Sequence, residues 1–140
     1  MANSAFDSPL GVNASSASQS EQEAATSTTT FTSPGTQQFH PSASKLWLRA
    51  DFGATVSDSY NVTSISDDGT GKATVTIATD FGGATYCVAA TVNTAEGSGR
   101  WATIDNTSPP AAGTFEINVY SAAGTLADGS FMYAVAFGAQ

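Results

Sequence analysis

Few residues in this 140-residue chain are equipped for chemistry, and they are scattered. There is one His, His40, and one Cys, Cys87, with four basic and twelve acidic side chains. General acid–base catalysis needs a titratable group tuned by burial or by neighbours, and His40 stands in Phe39-His40-Pro41, where a structural role bonding to backbone is expected. Cys87 has no second Cys for an intrachain disulfide and no nearby His, so it is expected to be a small apolar residue packed in a strand interior. Asp67-Asp68-Gly69 begins like a calcium loop, but the D-x-D-x-D-G spacing and the distant Glu are missing, so no metal or cofactor is expected. Carboxylate pairs for glycoside cleavage could be drawn from Asp58, Asp80, Asp105 and Glu116, and the sequence singles out no two. No enzymatic activity is expected. The Asn-x-Ser/Thr triplets at Asn13, Asn61 and Asn106 are read as chance in so Ser- and Thr-rich a chain. Arg100-Trp101, between a Gly-rich turn and a strand, is the candidate receptor contact, since exposed aromatic and Arg side chains dominate recognition. Trp101 serves equally well as a core plug.

The background to these residues is unusual. Only 11% of the chain is charged, against about 25% in an average domain, so the surface is mostly hydroxyl and amide. The formal charge is −8 with no cluster of Lys or Arg, and binding to a phosphate backbone would run against the mean field. Nucleic acid is not an expected partner. No apolar run approaches the ~18 residues of a spanning helix, and membrane insertion is not expected.

Three segments are expected to position the candidates. Residues 1–17 form a flexible or anchoring leader without periodicity, whose Phe6, Leu10 and Val12 are too sparse for a core and are candidate anchors to another protein. Residues 18–42 hold a short helix and a linker: Ser18 and Glu21 make a capping box that predicts a helix near 18–26, ended by the β-branched run Thr28–Thr30. Pro34-Gly35 marks a turn, and Pro41 forces His40 extended. Residues 43–140 read as a β-domain. Lys45–Phe52 alternates, with Leu46, Leu48, Ala50 and Phe52 on one face and Lys45, Trp47, Arg49 and Asp51 on the other. Trp47 on that polar face suggests contact with another surface, or lies flat against its own leader or an Arg stem.

Strands are expected at Tyr60–Ile65, Lys72–Thr79, Ala84–Asn93, Arg100–Asp105, around Phe115–Val119 and at the C-terminal end. Turns fall at Asp67–Gly71, Asp80–Gly83 and Glu96–Gly99. Val75 and Ile77, Tyr86 through Val92 by twos, Phe115, Ile117 and Val119, and Phe131, Tyr133, Val135 and Phe137 are assigned to inward faces. Short strands at this spacing predict an all-β fold, an antiparallel sandwich or jelly roll.

Two stretches carry a resemblance to a known family. Gln22-Glu23-Ala24-Ala25-Thr26, continuing through Pro34-Gly35, His40-Pro41-Ser42-Ala43 and Lys45-Leu46-Trp47, resembles the passage from stalk motif to C-terminal β-domain in bacteriophage tail-fibre proteins. Asp58-Ser59-Tyr60-Asn61-Val62-Thr63-Ser64-Ile65, with Asp67-Asp68-Gly69-Thr70-Gly71 after it, is similar to the continuation of that domain. The match covers residues 20 to about 80. Two departures stand out: only some twenty residues precede the motif, as in a tip without a shaft, and Thr36 replaces an Arg after Pro34-Gly35.

The resemblance implies a virion structural protein, assembled in the host cytoplasm and trimeric, that attaches the particle to a host glycan or surface protein. The alternative is a capsid decoration or head-fibre protein gripping the major capsid protein through residues 1–17. A homotrimer also suits a leader whose Phe6, Leu10 and Phe31 exceed what so small a domain can bury. Phe31, Phe39, His40 and Trp47 are the candidate subunit interface.

Overall fold

The computed structural model describes residues 15–27, 29–94 and 99–140. The chain divides into two units, residues 1–43 and 44–140.

In the first unit the capping box forms as its spacing dictates. Glu21 N–H donates to Ser18 Oγ, and Ser18 N–H donates to Glu21 Oε2 at 2.9 Å. The helix, α1, runs Gln19–Ala24 and ends at Ala25, which turns left-handed (φ 51) and returns its N–H to Gln22 and Glu21 carbonyls. It therefore stops before the expected Thr28–Thr30 run, of which Thr28 lies outside the described residues. Gln22, buried, exchanges side-chain hydrogen bonds with Thr32. Residues 34–36 turn as Pro34-Gly35 predicts, and a single 3₁₀ turn, Gln37–Phe39, follows. His40 is extended (φ −64, ψ 135).

The second unit is a sandwich of two four-stranded antiparallel sheets. The strands are β1 Leu46–Ala50, β2 Val56–Tyr60, β3 Val62–Asp67, β4 Lys72–Ile77, β5 Cys87–Asn93, β6 Arg100–Ile104, β7 Thr114–Ser121 and β8 Phe131–Phe137. The first sheet has the order β2-β1-β8-β5 and the second β3-β4-β7-β6. Pairs β1–β2, β3–β4 and β6–β7 lie within one sheet while the other connections cross between sheets, which is a sandwich order without the sheet-to-sheet alternation of a jelly roll.

The core lies between the sheets. Leu46, Leu48, Ala50, Met132, Ala134 and Ala136 come from the first sheet, and Ala73, Val75, Ile77, Phe115, Ile117 and Val119 from the second. Phe52 and Phe81 close the ends. These residues are the alternating positions expected in β1, β4 and β7.

Four sequence expectations are corrected. The inward residues of β8 are Met132, Ala134 and Ala136, and Phe131, Tyr133, Val135 and Phe137 face out. The register explains it: Ala136, Ala134 and Met132 stand opposite Leu46, Leu48 and Ala50, where small side chains leave room for the leucines. Lys45 is buried, not displayed beside Trp47. Cys87 is exposed on the outward face of β5, opposite Phe137, and is not packed inside. Finally, Tyr60–Ile65 is not one strand. Asn61 adopts a left-handed conformation (φ 59) and passes the chain from the first sheet to the second, a conformation Asn tolerates better than most residues. The Glu96–Gly99 turn falls largely outside the described residues.

Gly71, at the β3–β4 turn, is a position where glycine is obligatory. Its φ is +71, and a Cβ there would lie 2.6 Å from both Ala127 N and Val119 O. Its N–H donates to Asp128 Oδ1, and its carbonyl accepts from Val119 N–H at 2.7 Å. The turn is thereby fixed against the end of β7.

Candidate functional site

His40 is held within its own loop. Ser42 N–H donates to Nδ1 at 3.2 Å, and Ser42 Oγ lies 2.7 Å from the same nitrogen. This is the backbone-bonded role expected of it. An open hollow of about 500 Å³ lined by Thr32, Gln37, His40, Ser42 and Ala43 adjoins it, offering hydroxyl and amide groups but no second titratable side chain. Phe39 is half-buried. Phe31 is 51% exposed, joined to Ser16 by a parallel bridge and held by Ala17 N–H on its carbonyl at 2.9 Å. The anchor candidates Phe6, Leu10 and Val12 lie outside the described residues.

The outward face of the first sheet mixes an aromatic cluster with polar residues, Arg49 standing opposite Asp58. Trp47 and Tyr60 are cross-strand neighbours, 42% and 44% exposed. Val135 stands opposite Trp47 on its other side. Beyond it a shallow hollow of about 260 Å³ is lined by Ala89, Ala90, Thr91, Tyr133, Ala134 and Val135. Arg49 does not present a free charge here: its guanidinium lies 3.9 Å over the Phe131 ring, and its hydrogen bond to Tyr133 holds that phenol below its usual pKa. Trp47 and Tyr60, with Val135 beside Trp47, thus form a half-exposed apolar cluster on this sheet.

The outward face of the second sheet is polar, and here the register assembles what the sequence leaves dispersed. Trp101 pairs with Tyr120 and Thr103 with Asn118, while Asp105 N–H donates to Glu116 O at 3.0 Å. On the other side of β7, Lys72 stands opposite Asn118 and Thr74 opposite Glu116. Lys72 Nζ lies 3.0 Å from Glu116 Oε1 and 3.8 Å from Asp105 Oδ2. The Asp105 carboxylate is fixed by Thr107, which donates its N–H at 2.9 Å and its hydroxyl at 2.8 and 2.9 Å. Those bonds, with a smaller one from the Asn118 amide, lower its pKa to about 2. Lys72 is raised, first by its hydrogen bond to Glu116.

Of the four carboxylates considered for paired chemistry, Asp105 and Glu116 are the two brought together. Lys72 bridges them, and the lowered pKa of Asp105 keeps that carboxylate ionised. Asn118, 4% exposed, has its amide turned to Asp105 and its Oδ1 left without a hydrogen-bond partner. Such an orphan costs about 1–3 kcal/mol.

Arg100 and Trp101 do not act as one contact. Adjacent residues of a strand face opposite ways, and Arg100 turns to the Asp128 and Gly99 carbonyls at 3.3 and 3.4 Å. Trp101 is no core plug: it is 49% exposed and stacks on Tyr120 with centroids 4.6 Å apart and planes 20° from parallel. Asn118 and Tyr120 are the residues that sequence reasoning missed as a site. The alternation of β7 places them outward with Glu116, but only the β6–β7 register joins them to Trp101 and Asp105.

Asp67 and Asp68 are spent locally, Asp67 accepting from Gly69 N–H and Asp68 from Ser66 Oγ. Among the described residues there is no group of three His, Cys, Asp or Glu side chains placed to hold a metal, and no helix is long and apolar enough to cross a membrane. Asn61 of the second Asn-x-Thr triplet donates Nδ2 to the Lys45 and Thr79 carbonyls, both at 3.0 Å, so its amide is structural.

No protein-family model matches the chain, and neither the curated proteins nor the solved structures contain a match to it.

Proposed function

We propose that this chain is a structural protein of a bacteriophage particle, a trimeric fibre or tip component that attaches the particle to the host surface. The observation that carries the reading is the pair of tail-fibre-like stretches, Gln22–Trp47 and Asp58–Gly71. The second stretch contains Asn61, which makes the crossover between the sheets, and Gly71 of the β3–β4 turn. The exposed cross-strand pair Trp47 and Tyr60, with Val135 beside Trp47, supports self-association, because aromatics clustered on one sheet face are what a subunit contact covers.

In this reading the first sheet faces sister subunits, residues 1–17 join the protein to the particle, and the polar face of the second sheet remains for the host. Gold-labelled antibody against the protein, applied to purified particles, tests it. Label at the tail tip is expected. Label over the capsid would favour a decoration or head-fibre protein, and particles that carry none of the protein would end the virion reading.

A further inference from the structure

Two open four-stranded sheets leave four edge strands, β2 and β5 on the first and β3 and β6 on the second. An edge presents unpaired backbone N–H and C=O groups, and proteins blunt it with bulges, charges or short length. β2 is five residues long, carries Asp58 and is bulged at Ser57, since Arg49 and Ala50 stand opposite Asp58 and Val56. β3 carries Asp67 and is bulged at Thr63, its register passing from Val62 to Ser64 against Ile77 and Thr76. β6 is five residues long and begins at Arg100.

β5 has none of these devices. Cys87–Asn93 is the longest of the four edges, seven residues in unbroken register with β8, and it holds no charge, no Pro and no Gly. β6 follows it in the chain but joins the other sheet. The inward residues Val88, Ala90 and Val92 are only partly buried against the core, while Ala136, Ala134 and Met132 opposite them on β8 are buried. The outward residues Cys87, Ala89, Thr91 and Asn93 are exposed. The core is therefore left incomplete along this edge.

The residues of the strand specify the neighbour that completes it. Laid antiparallel to itself about Ala90, β5 sets Val88 opposite Val92, Ala89 opposite Thr91, Ala90 opposite Ala90 and Cys87 opposite Asn93. Each inward apolar residue then meets another, and each outward residue meets a small uncharged one. In a chain of net charge −8, this is an edge that brings no carboxylate to the contact. We propose that β5 pairs antiparallel with β5 of a second copy around a twofold axis at Ala90, which joins the two first sheets into one. The contact is twofold, so it is separate from the threefold assembly of the attachment reading and does not rest on it. One strand pair covers less than the ~1,200 Å² of a stable complex. It therefore joins copies that are already concentrated, such as neighbouring trimers.

Cys87 makes the register testable. Directly opposed Cα atoms of an antiparallel pair lie about 4.5–5.5 Å apart, within disulfide reach. Positions 87 and 93 of one strand, and the two Cys87 of a pair, are separated by roughly 20 Å and cannot be bridged. The concentrated full chain is oxidised with copper phenanthroline, and disulfide-linked dimer is read on a non-reducing gel and mapped by mass spectrometry. Asn93→Cys should give at least tenfold more linked dimer than wild type or than Asn93→Cys in a Cys87→Ser chain, bonded from position 87 to position 93. Because Asn93 also hydrogen-bonds Tyr133, a second pair leaves it in place. Ala89→Cys and Thr91→Cys, each in a Cys87→Ser chain, should cross-link when mixed and not when oxidised separately. Linkage no greater than the controls in both systems would overturn the proposal and leave the edge to an extended segment of another protein. Bonds formed mainly between like positions would overturn it too. Neither result bears on whether the protein belongs to a particle, which the labelling of particles decides.

Discussion

Asn61 grips Thr79 at both ends, accepting the Thr79 N–H on Oδ1 at 2.7 Å and donating Nδ2 to the Thr79 carbonyl at 3.0 Å. The same amide nitrogen reaches the Lys45 carbonyl, and Ala78 N–H returns to Asn61 O at 3.1 Å. One left-handed residue thus ties together the start of β1, the end of β4 and the crossover between the sheets.

Asn61→Ala removes these side-chain bonds and places a Cβ-bearing residue without local hydrogen bonding in the left-handed region. A loss of about 2–4 kcal/mol is expected in urea denaturation. Asn61→Gly keeps the backbone conformation available and should lose clearly less. Equal losses would mean that the φ of this residue contributes nothing.

Trp47 separates a subunit interface from an exposed surface. Covered by a sister chain, Trp47→Ala should lose roughly 3–5 kcal/mol and weaken the oligomer. Exposed, it should change stability by no more than about 0.5 kcal/mol. Melting at two protein concentrations reads the difference, because only an interface residue makes the shift depend on concentration. Light scattering on the wild type should give three times the 14.2 kDa chain mass.

Asp105 sets a sensitivity to acid. Its folded pKa of about 2 lies below the ordinary value of 3.8, so its contribution is present above about pH 4 and is lost as pH falls toward 2. Thr107→Val removes the hydroxyl that bonds both carboxylate oxygens, and should flatten the fall of the urea midpoint between pH 4 and pH 2. An unchanged pH profile in that variant would contradict the assignment.

Tyr86 sets the opposite limit. It stacks on Phe81 at 4.0 Å and donates its hydroxyl toward the Ala111 and Thr114 carbonyls, both at 2.9 Å. Burial pushes its pKa up to about 12. A raised folded pKa means stability fully present below the ordinary value near 10 and lost as pH rises toward 12. Ultraviolet titration should show one tyrosine ionising late, and Tyr86→Phe should abolish that step at a cost of about 0.5–1.5 kcal/mol.

The parts of this structure that were legible in the sequence are those where only one reading of a pattern is physically possible. Leu46, Leu48 and Ala50 alternate with Trp47 and Arg49, so the inward face of β1 is unambiguous. Ser18 and Glu21 can satisfy each other in only one arrangement. β8 was misread because Phe131–Phe137 is apolar on both faces, and alternation cannot rank aromatics against alanines without the leucines that stand opposite. The Asn61 break was missed because Tyr60–Ile65 has strand propensity throughout and one left-handed residue leaves no periodic trace. The cluster of Asp105, Glu116, Asn118 and Lys72 depends on the registers of two strand pairs, which no single segment encodes.

Competition for adsorption addresses the central claim most directly. Host cells are pre-incubated with saturating purified protein, and the adsorption rate of particles made from the genome that encodes this chain is then measured. An attachment protein should occupy the host sites and slow adsorption at least tenfold, with Trp101→Ala failing to do so. Adsorption unchanged by the wild-type protein at saturation would contradict the account.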